Sequence, residues 1–348
     1  MPVATAAPAV GVPPVRRAPA RLTGLLLLVL LLTAAAMASL AVGTRPIGLG
    51  DVWRALLDPS LATEEAVIVR GLRMPRTAVG LLAGLALGTA GALMQGHTRN
   101  PLGDPGLLGV TAGASLAVVL AIAVLDVAAP AGHVWFAFAG ALGGTLLVYA
   151  VGTAGRAAPT PVTLALAGAA LSALLYAIVR AVLGSDSQTL DAFRFWVVGG
   201  LAGRGADVAV QVAPFIAAGA LLALANAPAL NLLAFGEDVA RGLGSRIWPA
   251  RTVGLAAITL LCGAATAACG PIAFVGLVAP HVVRAFTGPD HRWLVPGSGL
   301  LGAVLLMTAD VLGRVVTRPG ELPAGIVLAL VGAPFFIALV RRSRTARL

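Results

Sequence analysis

The amino-acid sequence predicts an all-α, polytopic membrane protein with ten transmembrane helices. Of its 348 residues, 59% are apolar and only 11% are charged. The mean hydropathy is +0.95, far above the range of soluble proteins. Long apolar runs recur between residues 22 and 340, and each approaches the roughly 20 residues that cross about 30 Å of hydrocarbon as a helix. Lipid is therefore the main solvent of this chain.

The apolar runs place ten helices within one transmembrane domain, residues 22–340. The spans are expected near 22–42, 76–96, 107–126, 134–152, 162–183, 208–225, 251–270, 272–286, 295–315 and 323–340. The segment 193–203 is apolar but short and rich in glycine. It is therefore expected to be a re-entrant or interfacial element and not a further span.

Arginine residues mark both ends of the chain. Arg16, Arg17 and Arg21 precede the first apolar run, and four arginines follow the last one, in residues 341–348. Because cytoplasmic segments carry the excess of positive charge, the tails 1–21 and 341–348 are both expected in the cytoplasm. A cleaved signal peptide is the alternative at the N-terminus, but the run 22–42 is longer than the about 7–15 apolar residues of such a signal.

The charged residues argue against several classes of function. All 24 basic residues are arginine, whereas a phosphate-binding P-loop needs a lysine to reach the nucleotide. Any ATP hydrolysis therefore belongs to a separate chain. The net charge is +10, but the arginines are scattered between apolar spans, which disfavours nucleic-acid binding. No nucleophile and base, and no set of metal ligands, has workable spacing, so neither a catalytic nor a metal site is predicted.

Cysteine and histidine are expected to be structural. Cys262 and Cys269 lie seven residues apart in one predicted helix, about 10.5 Å along its axis, which is beyond disulfide reach. His97 lies in the loop 97–106, which contains two prolines and is expected to be a short connection. No second ligand sits at metal-binding spacing near His97.

Small residues and arginines distinguish the second span. Gly80, Gly84 and Gly88 recur at four-residue spacing, which lets helices approach closely in lipid and predicts a central helix. Arg70, Arg73 and Arg76 precede this span on the face expected to be outside. Because guanidinium groups form bidentate pairs with carboxylates, docking of an acidic partner is the favoured hypothesis, and snorkelling at the membrane interface is the alternative.

The longest connection expected on the cytoplasmic side is 226–251. Three glycines punctuate it, and the Glu237-Asp238 pair favours the start of a short helix through the helix dipole. Loops of this length in compact bundles usually have a function, so a soluble partner is expected to dock here. A solvated connector is the alternative.

Few ionisable groups are expected to be buried: Asp310 within the ninth span, Glu321 at the mouth of the tenth, His281 in the eighth and Arg180 near the outer end of the fifth. Each is a candidate functional residue because burial of charge in a membrane is costly. A carrier driven by protons or sodium is expected to contain a chain of carboxylates at mid-membrane. Asp310 stands nearly alone there, which disfavours a secondary transporter.

The sequence resembles the FecCD-type permeases of type II ABC importers, which carry iron siderophores, haem and cobalamin. The resemblance extends over nearly the whole chain, and its motifs occur in the family's order. They are RMPR at 73–76, GALMQ at 91–95, RNPLGDPGLLGV at 99–110, the segment 230–244, GPIAFVGLVAPH at 270–281, DHR at 290–292, AD at 309–310, ELPAG at 321–325 and GAPFF at 332–336.

The resemblance implies partners and site residues. It implies a bacterial inner-membrane permease that forms a dimer, with itself or with a paralogue, around a path on the two-fold axis. Two ATPase subunits, which bind ATP and magnesium, would sit below, and a soluble binding protein would dock above. Docking falls on Arg73, Arg76 and Arg314, and the cytoplasmic gate on Asn100 and Leu102. The ATPase-coupling positions are Leu233, Gly236, Glu237, Asp238, Ala240, Arg241, Leu243 and Gly244.

One position departs from the family pattern. The inner NPLA segment of the family reads NPLG here, with Gly103 in place of alanine, which adds backbone freedom beside the expected gate.

The function that follows is import of a ferric siderophore, or of haem or a cobalamin-like compound, delivered by a binding protein and powered by separate ATPases. No cofactor is expected in this chain. A carrier driven by an ion gradient is the principal alternative, and a membrane scaffold that transports nothing is another.

Overall fold

The computed structural model describes residues 18–127, 130–154 and 161–345, and the regular secondary structure within these ranges is helical. The predicted tail 1–21 lies largely outside the described residues, as do the last three residues of the C-terminal tail. The helices are α1 (Ala18–Ala41), α2 (Leu49–Leu57), α3 (Glu64–Ile68), α4 (Met74–Thr98), α5 (Val110–Leu125), α6 (Pro130–Thr153), α7 (Pro161–Ser185), α8 (Ser187–Val197), α9 (Ala206–Leu233), α10 (Glu237–Gly242), α11 (Ile247–Cys269), α12 (Val275–Thr287), α13 (His291–Val316) and α14 (Ala324–Thr345).

Seven helices in the described part of the chain are long and apolar enough to cross a membrane. They are α1, α6, α7, α9, α11, α13 and the continuous helix Glu64–Thr98, whose last part is α4. Three more apolar helices, Val110–Leu125, Val275–Thr287 and Ala324–Leu339, are shorter. Each of the ten predicted runs overlaps one of these helices. The all-α prediction is thus confirmed with seven long apolar helices, and the number ten stays a prediction.

Helix α4 lies at the centre of the bundle. A Cβ atom added at Gly84 would collide with the backbone of Ala303 in α13, and one at Gly91 would collide with the carbonyl of Gly276 in α12. Close backbone approach of this kind requires glycine, because any side chain would push the helices apart. The prediction of a central helix surrounded by protein is confirmed.

Segment 193–203 forms the end of α8 and a buried turn. Helix α8 has only 11 residues, too few to span a membrane. Gly199 adopts a φ of 70°, and the N–H of Gly200 donates to the carbonyl of Cys269 over 2.8 Å. The turn is therefore held against the end of α11, where non-helical backbone finds partners inside the protein. Both cysteines are free and buried, as predicted.

The connection between α9 and α11 is shorter than the 226–251 expected from the sequence. Helix α9 continues to Leu233 despite two internal prolines, and α11 begins at Ile247. The connection is therefore 234–246. It contains the predicted short helix, α10, which begins at Glu237 with two acidic residues in its first turn, where they favour the positive end of the helix dipole.

Candidate functional site

The bundle has two ends that carry the residues singled out by the sequence. The arginine end is the one where α1 and α13 finish and α4 begins, and it contains Arg73, Arg76 and Arg314. The α10 end is the opposite one, where α4 finishes, and it contains Asn100, Leu102 and helix α10. The two ends have different chemistry.

At the arginine end, guanidinium groups bind the free carbonyls at the end of α1. Arg73 donates to the carbonyls of Leu40 and Ala41 over 2.7 and 2.8 Å. Arg314 donates to those of Ser39 and Val42 over 2.9 and 3.0 Å. The last four carbonyls of a helix lack partners within it, and cations favour its negative end. The two arginines therefore complete α1.

A buried ion-paired cluster lies next to this cap. The carboxylate of Asp310 accepts hydrogen bonds from Arg314 over 2.6 Å and from Arg76 over 2.8 Å. Arg76 also pairs with Glu321 over 2.8 Å. The side chain of Asp310 is 2% exposed and that of Arg76 is 13% exposed. Burial of this kind is tolerated because every charge has a partner.

This cluster is what sequence reasoning missed at the arginine end. Asp310 was expected to stand nearly alone as a carboxylate, but it is the common partner of two arginines, and Glu321 joins it through Arg76. The four-residue spacing of Asp310 and Arg314 is a helical ion-pair signal that the sequence contained. The contact with Arg76 has no sequence signal, because 234 positions separate the two residues.

The predicted docking residues differ in exposure. Arg73 and Arg314 are 6% and 2% exposed, so they present almost no surface in this structure. Arg45 and Arg54 lie at the same end with 52% and 72% of their side chains exposed. The exposure of Arg76 is intermediate, with 13% of its side chain exposed, and its partner Glu321 is 31% exposed.

The segment that follows α4 forms a tight, internally bonded loop. Helix α4 ends at Thr98, and the next residue, Arg99, adopts the left-handed conformation with a φ of 49°. The Asn100 side chain accepts a hydrogen bond from the N–H of Leu102 over 3.0 Å, and its carbonyl accepts one from Gly103 over 3.0 Å. The Leu102 side chain lies at the surface and is 37% exposed.

The second half of this loop leads into α5. The Asp104 carboxylate accepts a hydrogen bond from the N–H of Gly106 over 2.7 Å and so begins the 3₁₀ turn Pro105–Leu108. Burial raises the pKa of Asp104, although the bond from Gly106 acts in the opposite direction. The loop therefore holds a carboxylate whose charged form is disfavoured.

Helix α10 is attached to α11 by an ion pair between Glu237 and Arg251. Glu237 also pairs with Arg241 within α10, and Ala240 is fully buried. On the outer side, Phe235, Val239 and Leu243 are 71%, 50% and 61% exposed. Val239 lies in α10, Leu243 directly follows its last residue, and Phe235 precedes it beyond Gly236. The three form an exposed apolar row along residues 235–243.

The exposed row is a docking signal. Phe235 and Val239 were not among the predicted coupling residues, whereas Leu243 was. Their spacing was visible in the sequence, but their exposure was not. An apolar row beside charged residues outside the bundle is typical of a surface covered by another protein.

His97 has a structural partner in the bundle. Its ring Nε2 lies 2.9 Å from the side-chain nitrogen of Asn226, which joins α4 to α9. Among the described residues, no group of three or more histidine, cysteine or acidic side chains is placed to hold a metal ion.

Comparisons with known proteins identify relatives over most of the chain. Residues 28–342 match the FecCD transport family. The chain is 46% identical to the ferric enterobactin transport system permease protein FepD of Escherichia coli over 320 residues, which cover 92% of this chain and 94% of FepD. It is 36% identical to the hemin transport system permease protein HmuU of Yersinia pestis, over 92% of this chain and 96% of HmuU.

The fold is also found among solved structures. A transporter assigned to the metal-chelate type of ABC transporter, solved in an inward-facing conformation, superposes with a TM-score of 0.80. It is 28% identical and covers 91% of this chain and 98% of its own.

Proposed function

Because the chain belongs to the FecCD transport family, we infer that it is the membrane permease subunit of an ATP-binding-cassette importer. It is a multi-pass inner-membrane transport subunit and not an enzyme, and ATP is hydrolysed by separate ATPase chains. The observation that carries this function is the match of 92% of the chain to a permease of a ferric siderophore, on a fold shared with a metal-chelate transporter.

We propose ten membrane crossings with both termini in the cytoplasm. The three shorter apolar helices are then counted with the seven long ones. In this orientation the α10 end faces the cytoplasm and the arginine end faces outward. The basic C-terminal residues support this orientation by the positive-inside rule.

We propose three kinds of partner. A second copy of this chain, or a close paralogue, completes the transport path. Two ATPase subunits, which bind ATP and magnesium, dock on the α10 ends, where the row Phe235, Val239 and Leu243 is exposed. The coupling segment 233–244 then transmits the closure of the ATPases to the bundle through the Glu237 and Arg251 pair.

A soluble binding protein docks on the arginine end in this proposal. Arg76 makes the direct contact, because its side chain is 13% exposed and thus more exposed than Arg73 and Arg314. Arg73 and Arg314 support the docking surface by holding the end of α1. Acidic groups on the partner suit this end, because guanidinium pairs with carboxylate in a fixed geometry.

Access to the path is switched at the α10 end. The gate residues are Asn100 and Leu102, with Leu102 presented to the surface by the loop. No covalent step is involved, so the path needs only to accommodate the cargo. The favoured cargo is a ferric siderophore, on the similarity to the enterobactin permease, with haem or a cobalamin-like compound as second choices.

The test is uptake of radiolabelled ferric enterobactin into vesicles that contain this chain, its neighbouring ATPase and its binding protein. We expect uptake only with all three components and with ATP on the ATPase side. Uptake by the chain alone that stops when the ion gradient is collapsed would instead establish a secondary carrier. Parallel uptake measurements with ferric citrate and with haem, in the same vesicles, identify the cargo.

A further inference from the structure

A cavity of about 450 Å³ lies at the α10 end, beside the coupling segment, whose residues Glu237 and Arg241 line part of it. Its walls come from the first turns of α11, the end of α4, and the adjoining ends of α6 and α7, with Tyr149 and Leu164 representing the last two. The volume falls within the about 300–1,000 Å³ of sites that hold small molecules.

The cavity is polar at its mouth and apolar in its depth. Arg241 and Arg246 line the mouth, whereas Leu255 and Ile258 line the depth. Arg246 and Ile258 are twelve residues apart, which is about 18 Å along a helix axis. This length is close to half of the about 30 Å hydrocarbon core, so the lining residues extend along α11 by about the thickness of one membrane leaflet.

The mouth carries a cation that the protein itself does not neutralise. Arg241 and Arg251 both pair with Glu237. Within the part of the chain that the structure describes, the Arg246 side chain makes no ion pair or hydrogen bond. Arg246 immediately precedes the 23-residue helix α11, whose amino end adds partial positive charge. An anion is therefore the complementary ligand.

We propose that one anionic phospholipid of the cytoplasmic leaflet occupies this cavity. Its phosphate binds Arg246 at the start of α11, and one acyl chain lies along Leu255 and Ile258. Basic pockets between helices on the cytoplasmic side suit anionic headgroups, and the exposed Trp248 at the rim is typical of residues at the membrane interface. The lipid fills the space between α11 and α6 and so stabilises the support of α10.

The experiment measures lipid retention on the purified, delipidated chain by native mass spectrometry. Dioleoyl phosphatidylglycerol is compared with dioleoyl phosphatidylcholine. We expect one phosphatidylglycerol per chain, bound at least about tenfold more tightly than phosphatidylcholine, because the cationic choline group of phosphatidylcholine offsets the attraction of its phosphate to Arg246.

Two variants act on the site by independent routes. Arg246→Gln removes the cation and is expected to weaken phosphatidylglycerol about tenfold. Thr252→Trp, at an exposed position that lines the cavity, fills the space and is expected to abolish retention. Arg292→Gln, which removes an exposed arginine outside the cavity, is the matched control and should bind as wild type.

Equal retention of the two lipids, or unchanged phosphatidylglycerol binding in both variants, would overturn the proposal. Displacement of the lipid by free glycerol 3-phosphate would also overturn it, in favour of a soluble phosphate ligand. Melting curves without lipid show whether each variant is folded. The measurements need neither the ATPase nor the binding protein, so they stand whether or not transport is observed.

Discussion

In α13, Arg314 donates a hydrogen bond of 2.6 Å to the carboxylate of Asp310, one turn earlier in the same helix, and both side chains are at most 3% exposed. Arg76 binds the same carboxylate from α4. One carboxylate therefore compensates two guanidinium groups that are almost entirely shielded from water.

Replacing Asp310 by Asn should destabilise the fold strongly. The substitution leaves the buried Arg314 without a counter-charge and leaves Arg76 with Glu321 alone, and removing one partner of a buried pair costs about 3–5 kcal/mol. Unfolding of the purified permease in denaturant measures the loss. Asp51→Asn is the control, since the pair of Asp51 with Arg54 is exposed and is worth at most about 1 kcal/mol. Equal losses in the two variants would contradict the compensating role of Asp310.

Arg76→Gln should weaken docking of the binding protein about tenfold, because the variant loses the charge-assisted contact with a carboxylate of the partner. Surface plasmon resonance on the permease in nanodiscs measures the affinity. Glu321→Gln is the matched variant, since it removes the internal carboxylate that holds Arg76 and should leave docking unweakened. Wild-type affinity in a folded Arg76→Gln permease would remove Arg76 from the docking surface.

The double variant Val239→Asp, Leu243→Asp should release the ATPase. Val239 in α10 and Leu243, which directly follows this helix, are both at least half exposed, so the substitutions add charge to the proposed contact without disturbing the core. Co-purification with the ATPase measures the effect. Leu57→Asp, at the arginine end and 66% exposed, should have no effect. An ATPase that still co-purifies with the double variant would place the contact elsewhere.

Gly103→Ala should destabilise the loop after α4, and Thr98→Ala should relieve the loss. A Cβ atom at residue 103 would lie 2.6 Å from the hydroxyl of Thr98, closer than carbon and oxygen normally approach. Melting temperatures of the wild type, the two single variants and the double variant form a double-mutant cycle. We expect a coupling of about 1 kcal/mol; additive effects would show that the loop moves to accept the alanine.

Asp104→Asn should stabilise the permease at neutral pH and lose that advantage at acid pH. Burial raises the pKa of Asp104, so its contribution to stability is present below the ordinary pKa of a carboxyl and is lost as the pH rises through the raised value. Asparagine stays neutral and still accepts the hydrogen bond from Gly106. Melting curves from pH 4 to pH 8 test this. A constant difference across that range would show that the charge of Asp104 is not the cause.

Much of the α10 end was readable from the sequence. The acidic pair Glu237-Asp238 predicted the start of α10, and the glycine spacing in the second span predicted a central helix, because both signals are local. The end of α9 was misplaced because helix α9 continues through Pro228 to Leu233, and a proline inside a helix is tolerated where packing compensates.

At the arginine end, the sequence supplied the residues but not their contacts. Composition determined that the chain is helical and lies in lipid, and the missing lysine determined that ATP is hydrolysed elsewhere, since both conclusions depend only on which residues are present. Only the tertiary structure decided that Arg73 and Arg314 bind the end of α1 and that Asp310 pairs with Arg76 as well as with Arg314. Contacts between different helices, which join residues 33 positions apart in Arg73 and Leu40 and 234 apart in Arg76 and Asp310, depend on how the helices pack, and no local pattern records that packing.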